Sequence, residues 1–162
     1  PAAAEASLVK SLKALQTDWL DILFVHEPQL GDVAELHALA EWFARQKSGG
    51  RVRYLGLAGS AANCLAVMQQ VPDVFDVLQV EDSLAGREAD ILAVTGQPLQ
   101  ITYGYLRRAA EQTGNAVATP IDGRAVMRAT LARNGNGMVL VSTRKVERLR
   151  ELAALTEQED MP

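Results

Sequence analysis

The sequence is poor in the residues that several kinds of chemistry require. There is one cysteine, Cys64, among 162 residues, so no disulfide can form within the chain and a reducing cytoplasm is the expected compartment. Two histidines and one cysteine make no cluster of the kind that holds zinc, so no metal is expected. No apolar run approaches the roughly 18–20 residues of a membrane-spanning helix. The opening residues, PAAAEASLVK, lack the basic start and apolar stretch of a secretory signal. Lysine and arginine number 16 against 20 aspartate and glutamate, a net charge of −4, which leaves no basic footprint for nucleic acid or an anionic membrane. There is no Pro/Ser-rich linker and no low-complexity segment. The sequence opens on Pro1 rather than Met, so a processed, trimmed or partial chain is expected.

What is present is an alternation. Hydrophobic residues make up 48% and charged residues 22%, the balance of a soluble globular domain, and residues 1–162 read as one domain. Leu8, Leu12 and Leu15 share a helical face. The apolar run Ile22-Leu23-Phe24-Val25 follows, stopped by His26-Glu27-Pro28. A helix carries Leu36, Leu39, Ala40 and Phe43 on one stripe and ends at Ser48-Gly49-Gly50. A second strand is predicted over Val52 to Ala58. Ser60 then caps a short helix holding Leu65 and Met68. A third strand is predicted from Phe75 to Val80, a weak helix near 87–95, and a fourth strand from Leu99 to Tyr103. Helices follow over 105–112 and 122–133, a fifth strand from Met138 to Val141, and a last helix over 145–157 presenting Val146, Leu149, Leu152 and Ala153.

Short strands that are apolar on consecutive residues, each separated from the next by a helix, belong to parallel α/β sheets covered on both faces. Eight such units in a (β/α)8 barrel take about 250 residues, and five eighths of that is about 156. A doubly wound open sheet of five strands fits the periodicity equally well.

Five local strings separate these readings. SLKALQTDWLDILFVHEP resembles the aldo-keto reductase stretch S-L-x-x-L-x-x-D-Y-L-D-L-x-x-x-H-x-P. RVRYLGLAGS is similar to that family's next strand, G-K-V-R-x-I-G-V-S-N, and FDVLQVEDSL to its F-x-x-x-Q-V-E-Y-S-L. ITYGYLRRA resembles the strand that carries a tyrosine beneath the nicotinamide. VLVSTRKVERLREL resembles the last strand and helix, I-P-G-T-R-R-x-E-x-L-E-E-N. The five fall in the family's order and spacing and span nearly the whole chain. The resemblance implies a partial (β/α)8 TIM barrel, α/β in class. This chain would supply about five C-terminal β/α units, strands 4 to 8 of the barrel.

The resemblance also implies a site. His26, at the C-terminal end of a strand where such barrels gather their active sites, would orient a substrate carbonyl for hydride attack. Ala58 and Gly59 stand where the family has a Ser-Asn pair that binds the nicotinamide carboxamide, and Gln79 would bond the same group. Tyr103 would offer its ring face to the nicotinamide, with Gly104, Tyr105 and Leu106 lining the pyrophosphate side. Ser142, Thr143, Arg144, Lys145 and Arg148 have a physical case of their own. The N-terminus of a helix attracts anions, and a guanidinium one turn onward grips phosphate. In the family this end holds the 2′-phosphate, so NADPH (NADP) is the implied cofactor, and Glu151 would contact the adenine. His37, between Leu36 and Ala38 in a helix, reads as a surface residue.

Three positions depart from the family pattern. Ala58-Gly59 removes two side-chain bonds to the carboxamide, with Ser60 beside them as a replacement for one. Asp82 stands where a tyrosine follows Gln-Val-Glu, and Leu152 where the last motif ends in asparagine. The family's proton-donating tyrosine, with its lysine and aspartate, comes from strands that would precede this chain. None of Tyr54, Tyr103, Tyr105 or the four lysines takes their place. The implied function is NADPH-dependent reduction of an aldehyde or ketone, or the reverse oxidation, on a small carbonyl or sugar substrate. The alternative is a non-catalytic NADP-binding relative acting as a regulatory subunit. Five strands of eight would leave open edges through which copies self-associate.

Overall fold

The computed structural model describes residues 1–27, 33–96, 100–112 and 121–157. Five strands and six α-helices alternate along it. They are α1 (Ala2–Leu15), β1 (Leu20–His26), α2 (Val33–Ser48), β2 (Val52–Gly59), α3 (Ala61–Gln70), β3 (Val77–Glu81), β4 (Ile101–Tyr103), α4 (Tyr105–Gln112), α5 (Gly123–Arg133), β5 (Met138–Leu140) and α6 (Val146–Glu157). The weak helix expected near 87–95 is a 3-10 helix, Glu88–Thr95. Pro28 and Leu99, read above as the stop of the first strand and the start of the fourth, lie outside the described residues.

The strands are hydrogen-bonded in chain order, β1-β2-β3-β4-β5. This order decides between the two architectures the periodicity allowed. A doubly wound sheet reverses direction at a switch point, whereas a barrel adds each strand to the same side of the last. The sheet here never reverses, so it is part of a (β/α) barrel. Pairing is parallel where β1 meets β2, Leu20 opposite Val52 through His26 opposite Ala58. It is parallel again where β4 meets β5, Ile101 opposite Met138 and Tyr103 opposite Leu140.

The chain divides into two compact units, Pro1–Gln79 and Val80–Pro162. In the first, Leu36, Trp42 and Phe43 of α2, Leu55 and Leu57 of β2, and Cys64 and Val67 of α3 are buried. Burial of each such leucine or valine contributes about 1.5–3 kcal/mol. Glu5 ties α1 to this unit. It accepts hydrogen bonds from Trp42 Nε1 at 3.0 Å and from Arg51 at 2.8 Å, and the Arg51 bond, then the Trp42 bond, hold its carboxyl below the usual range. Of the expected α1 stripe only Leu8 is buried, and Leu15 is 64% exposed. Gly56 pairs with Phe24, whose ring fills the space a side chain would need, 2.3 Å from a Cβ placed there.

In the second unit, Met127 of α5 and Leu152 and Leu155 of α6 form a core against which Leu106, Leu131, Val139 and Val141 pack. The α6 stripe read from the sequence is corrected here. Leu152 is buried, but Val146 and Leu149 are more than half exposed and Ala153 is exposed. The buried face runs through Leu152 and Leu155, three positions apart on a helix and hence on one side. Strand boundaries also shift. Phe75 is buried but precedes β3, and β5 stops at Leu140.

Candidate functional site

In the first unit, the C-terminal ends of β1 and β2 lie side by side. His26, the last residue of β1, is exposed and pairs with the buried Ala58. The chain continues this pairing one residue further, where Glu27 N–H donates to Ala58 O at 2.7 Å. Gly59 ends β2 with no room for a side chain, since a Cβ there would stand 3.0 Å from Glu27 Cγ. Ala58 and Gly59 are thus built as a close-packed backbone edge. Ser60 is exposed and accepts from Asn63 N–H at 3.2 Å, capping α3. Its hydroxyl acts on the helix. Gln79 lies in β3, half-buried.

In the second unit, the end of β4 meets the end of β5. Tyr103 pairs with Leu140, two residues before Ser142, so Tyr103 and the turn that opens α6 leave the sheet at the same end. Ser142 is exposed and Thr143 half-buried. Thr143 Oγ1 accepts from Lys145 N–H at 3.1 Å, and the first turn of α6 closes with Leu149 N–H donating to Lys145 O at 3.2 Å. The threonine, not the serine, therefore organises the approach to the helix. Arg144, Lys145, Arg148 and Glu151 are exposed, and the three cations make no ion pair with the described residues.

The second unit also holds an arrangement that the sequence reading missed. Asp82 is fully buried just past β3. Its carboxylate accepts from Tyr105 O–H at 2.7 Å, from Arg133 Nε at 2.7 Å and from Ala89 N–H at 3.1 Å. Burial alone would raise its pKa. The bonds from Arg133, Tyr105 and Ala89 outweigh that, and the carboxyl is held below the usual range. Tyr105 is pushed the other way, up to about 12, by burial and by Asp82, against a lowering bond with Thr102. Arg133 reaches on to Asp90 at 2.8 Å, and Asn134 donates to the buried Thr102 Oγ1 at 2.9 Å. The departure at Asp82 was the visible signal, since an acid beside an apolar strand demands a partner. Arg133 lies 51 residues away, and nothing local marks it as that partner.

Three residues expected to line the pyrophosphate side lie at or next to the network. The Tyr105 side chain is only 3% exposed and its hydroxyl is engaged, so a contact with pyrophosphate would fall to its backbone. Leu106 packs into the α5–α6 core. Gly104 adopts φ 98°, a left-handed conformation that suits glycine, and a Cβ there would stand 2.9 Å from Glu81 Cγ.

Among the described residues no helix is long and apolar enough to cross a membrane, and no group of three His, Cys, Asp or Glu side chains is placed to hold a metal ion. No protein-family model and no curated protein matches the sequence. Solved structures do match. An aldo-keto reductase from Brucella melitensis is 17% identical, with a TM-score of 0.67 over 94% of this chain and 60% of that one. The holo form of an aldo-keto reductase from Bacillus halodurans is 16% identical, with a TM-score of 0.68 over 94% and 60%. A protein assigned as a 2,5-diketo-D-gluconic acid reductase B is 26% identical, with a TM-score of 0.62 over 93% and 56%. The chain has the fold of part of the aldo-keto reductase barrel and spans about three fifths of the length of the solved structures it resembles.

Proposed function

We propose that this chain is the C-terminal part of an NADPH-dependent aldo-keto reductase and supplies its carbonyl-orienting histidine and much of its cofactor site. The observation that carries this reading is the pairing of strand ends. His26 pairs with Ala58, next to Gly59, in one unit, and Tyr103 pairs with Leu140, two residues before Ser142, in the other. The residues present suit a nicotinamide dinucleotide phosphate. Gly59 and Gly104 present backbone where a side chain would clash, and Arg144, Lys145 and Arg148 offer exposed positive charge at a helix start. When bound, the cofactor supplies a hydride to the carbonyl carbon of a small aldehyde, ketone or sugar. His26 donates a hydrogen bond to the carbonyl oxygen and fixes its orientation. In this reading Gln79 would bond the carboxamide, and Tyr103 would offer its ring to the nicotinamide. Arg148 and its neighbours hold the 2′-phosphate, with Ser142 and Thr143 at the turn and Glu151 toward the adenine.

A second reading, a cofactor-binding relative without turnover, draws on Tyr105. Its proton is committed to Asp82, so the chain's one buried tyrosine hydroxyl is no general acid. The test is steady-state reduction of small aldehydes with NADPH by the full-length protein, together with His26→Ala. The proposal expects turnover, and a fall in kcat of about a hundredfold or more for the variant, the scale of losing one oxyanion-type donor. Turnover unchanged by His26→Ala would remove the histidine from its role. NADPH binding without turnover would favour the second reading.

A further inference from the structure

Asp82 grips the β4–α4 turn at both of its ends. Its backbone N–H donates to Tyr103 O at 2.9 Å, and its carboxylate takes the Tyr105 hydroxyl at 2.7 Å. Between the two anchored residues sits Gly104, at φ 98°, with Asp82 O 3.5 Å from the place of its missing Cβ. The carboxylate is itself immobilised by Arg133 Nε and Ala89 N–H, and Arg133 is fixed in turn by Asp90. Every bond joins elements of the second unit: the end of β3, the 3-10 helix, the β4–α4 turn and the end of α5. The anchored turn leads directly from Tyr103, which pairs with Leu140 of β5, two residues before Ser142.

We propose that Asp82 is a positioning residue, which sets the height and tilt of Tyr103 at the nicotinamide end of the cofactor site by clamping the turn on both sides of Gly104. The inference rests on the cofactor reading above and adds a division of labour to it. The Asp82 clamp governs the nicotinamide end, and the α6 turn governs the 2′-phosphate end independently. Tyr105 acts through Asp82 and not by touching the cofactor with its hydroxyl.

The variant Tyr105→Phe tests this with little disturbance. It removes one hydroxyl, with its bonds to Asp82 and Thr102, and leaves the Asp82–Arg133 pair and the ring's packing in place, so the protein still folds. Isothermal titration of the full-length protein with two probes separates the ends of the site. NADPH spans both, whereas adenosine 2′,5′-bisphosphate carries only the adenine and 2′-phosphate end. Loss of one hydrogen bond from the clamp is expected to weaken NADPH about three- to tenfold while leaving adenosine 2′,5′-bisphosphate unchanged. Thermal unfolding of the variant without ligand gives the purely structural effect, which would weaken both probes alike. If the unaltered protein binds neither probe, the cofactor reading itself fails and the clamp's role goes with it. If the unaltered protein binds both, any other pattern in Tyr105→Phe, whether both probes are weakened or neither, overturns the positioning role alone.

Discussion

Arg133 reaches from the end of α5 to place its Nε 2.7 Å from a carboxylate oxygen of Asp82, which has no exposed surface. The pair is the most deeply buried ion pair among the described residues. Its arginine is only 11% exposed, and its partnership with Asp82, then Asp90, raises the guanidinium pKa further. Removing one member of such a pair leaves the other charged and desolvated. Arg133→Met is therefore expected to cost about 3–5 kcal/mol, read from urea unfolding. The exposed pair Arg53–Asp21, with both side chains more than half exposed, is expected to contribute no more than about 1 kcal/mol when broken.

The same pair sets an acid limit on stability. The Asp82 carboxyl is held below its ordinary value in the folded chain, while an unfolded aspartate titrates near about 3.9. A depressed folded pKa contributes stability that is fully present above the unfolded value and lost as pH falls through the folded one. Thermal midpoints are expected to be flat from neutral pH down to about 5 and to drop below about 4. Asp82→Asn would start lower and lose less across that acid range. An equal acid slope in both proteins would assign the effect elsewhere.

Gly104 tests the turn from the backbone side. Alanine there must hold φ 98° with its Cβ 2.9 Å from Glu81 Cγ. Left-handed backbone costs a non-glycine residue about 1–2 kcal/mol, and the contact adds to it. Gly104→Ala is expected to lower the thermal midpoint and to weaken NADPH, whereas Gly50→Ala, also at positive φ but with open space around it, would show the conformational cost alone and leave NADPH binding unchanged.

Strand placement was legible because Ile22–Val25 is an unbroken apolar run and Val52–Ala58 is broken only by Arg53, and both became parallel strands. The α6 face was not, because Val146 and Leu149 sit at helical spacing from Leu152 and Ala153, yet the side that packs is set by Met127 on another helix. His26 was legible as a strand-end residue. The Asp82–Arg133–Tyr105 cluster was not, since its members share no local pattern and meet only when β3, α4 and the end of α5 are brought together.

Self-association is predicted from the outer strands of the described sheet, β1 and β5. Met138 and Leu140 on β5 are 55% and 41% exposed, and an unpaired apolar edge is a template for another chain. The 162-residue chain by itself is expected to elute from size-exclusion chromatography as a dimer or larger, and Leu140→Lys to shift it toward monomer.

The 2′-phosphate assignment predicts a graded loss. Arg148→Ala is expected to reduce the preference for NADPH over NADH about tenfold, the scale of one charge-assisted hydrogen bond at an exposed site, and to leave NADH affinity unchanged.

The central claim is that the strand ends of this chain bind NADPH. A fluorescence titration of the full-length protein with NADPH and NADH tests it most directly. Saturable binding of both, tighter for NADPH, is the predicted result, and binding of neither would contradict it.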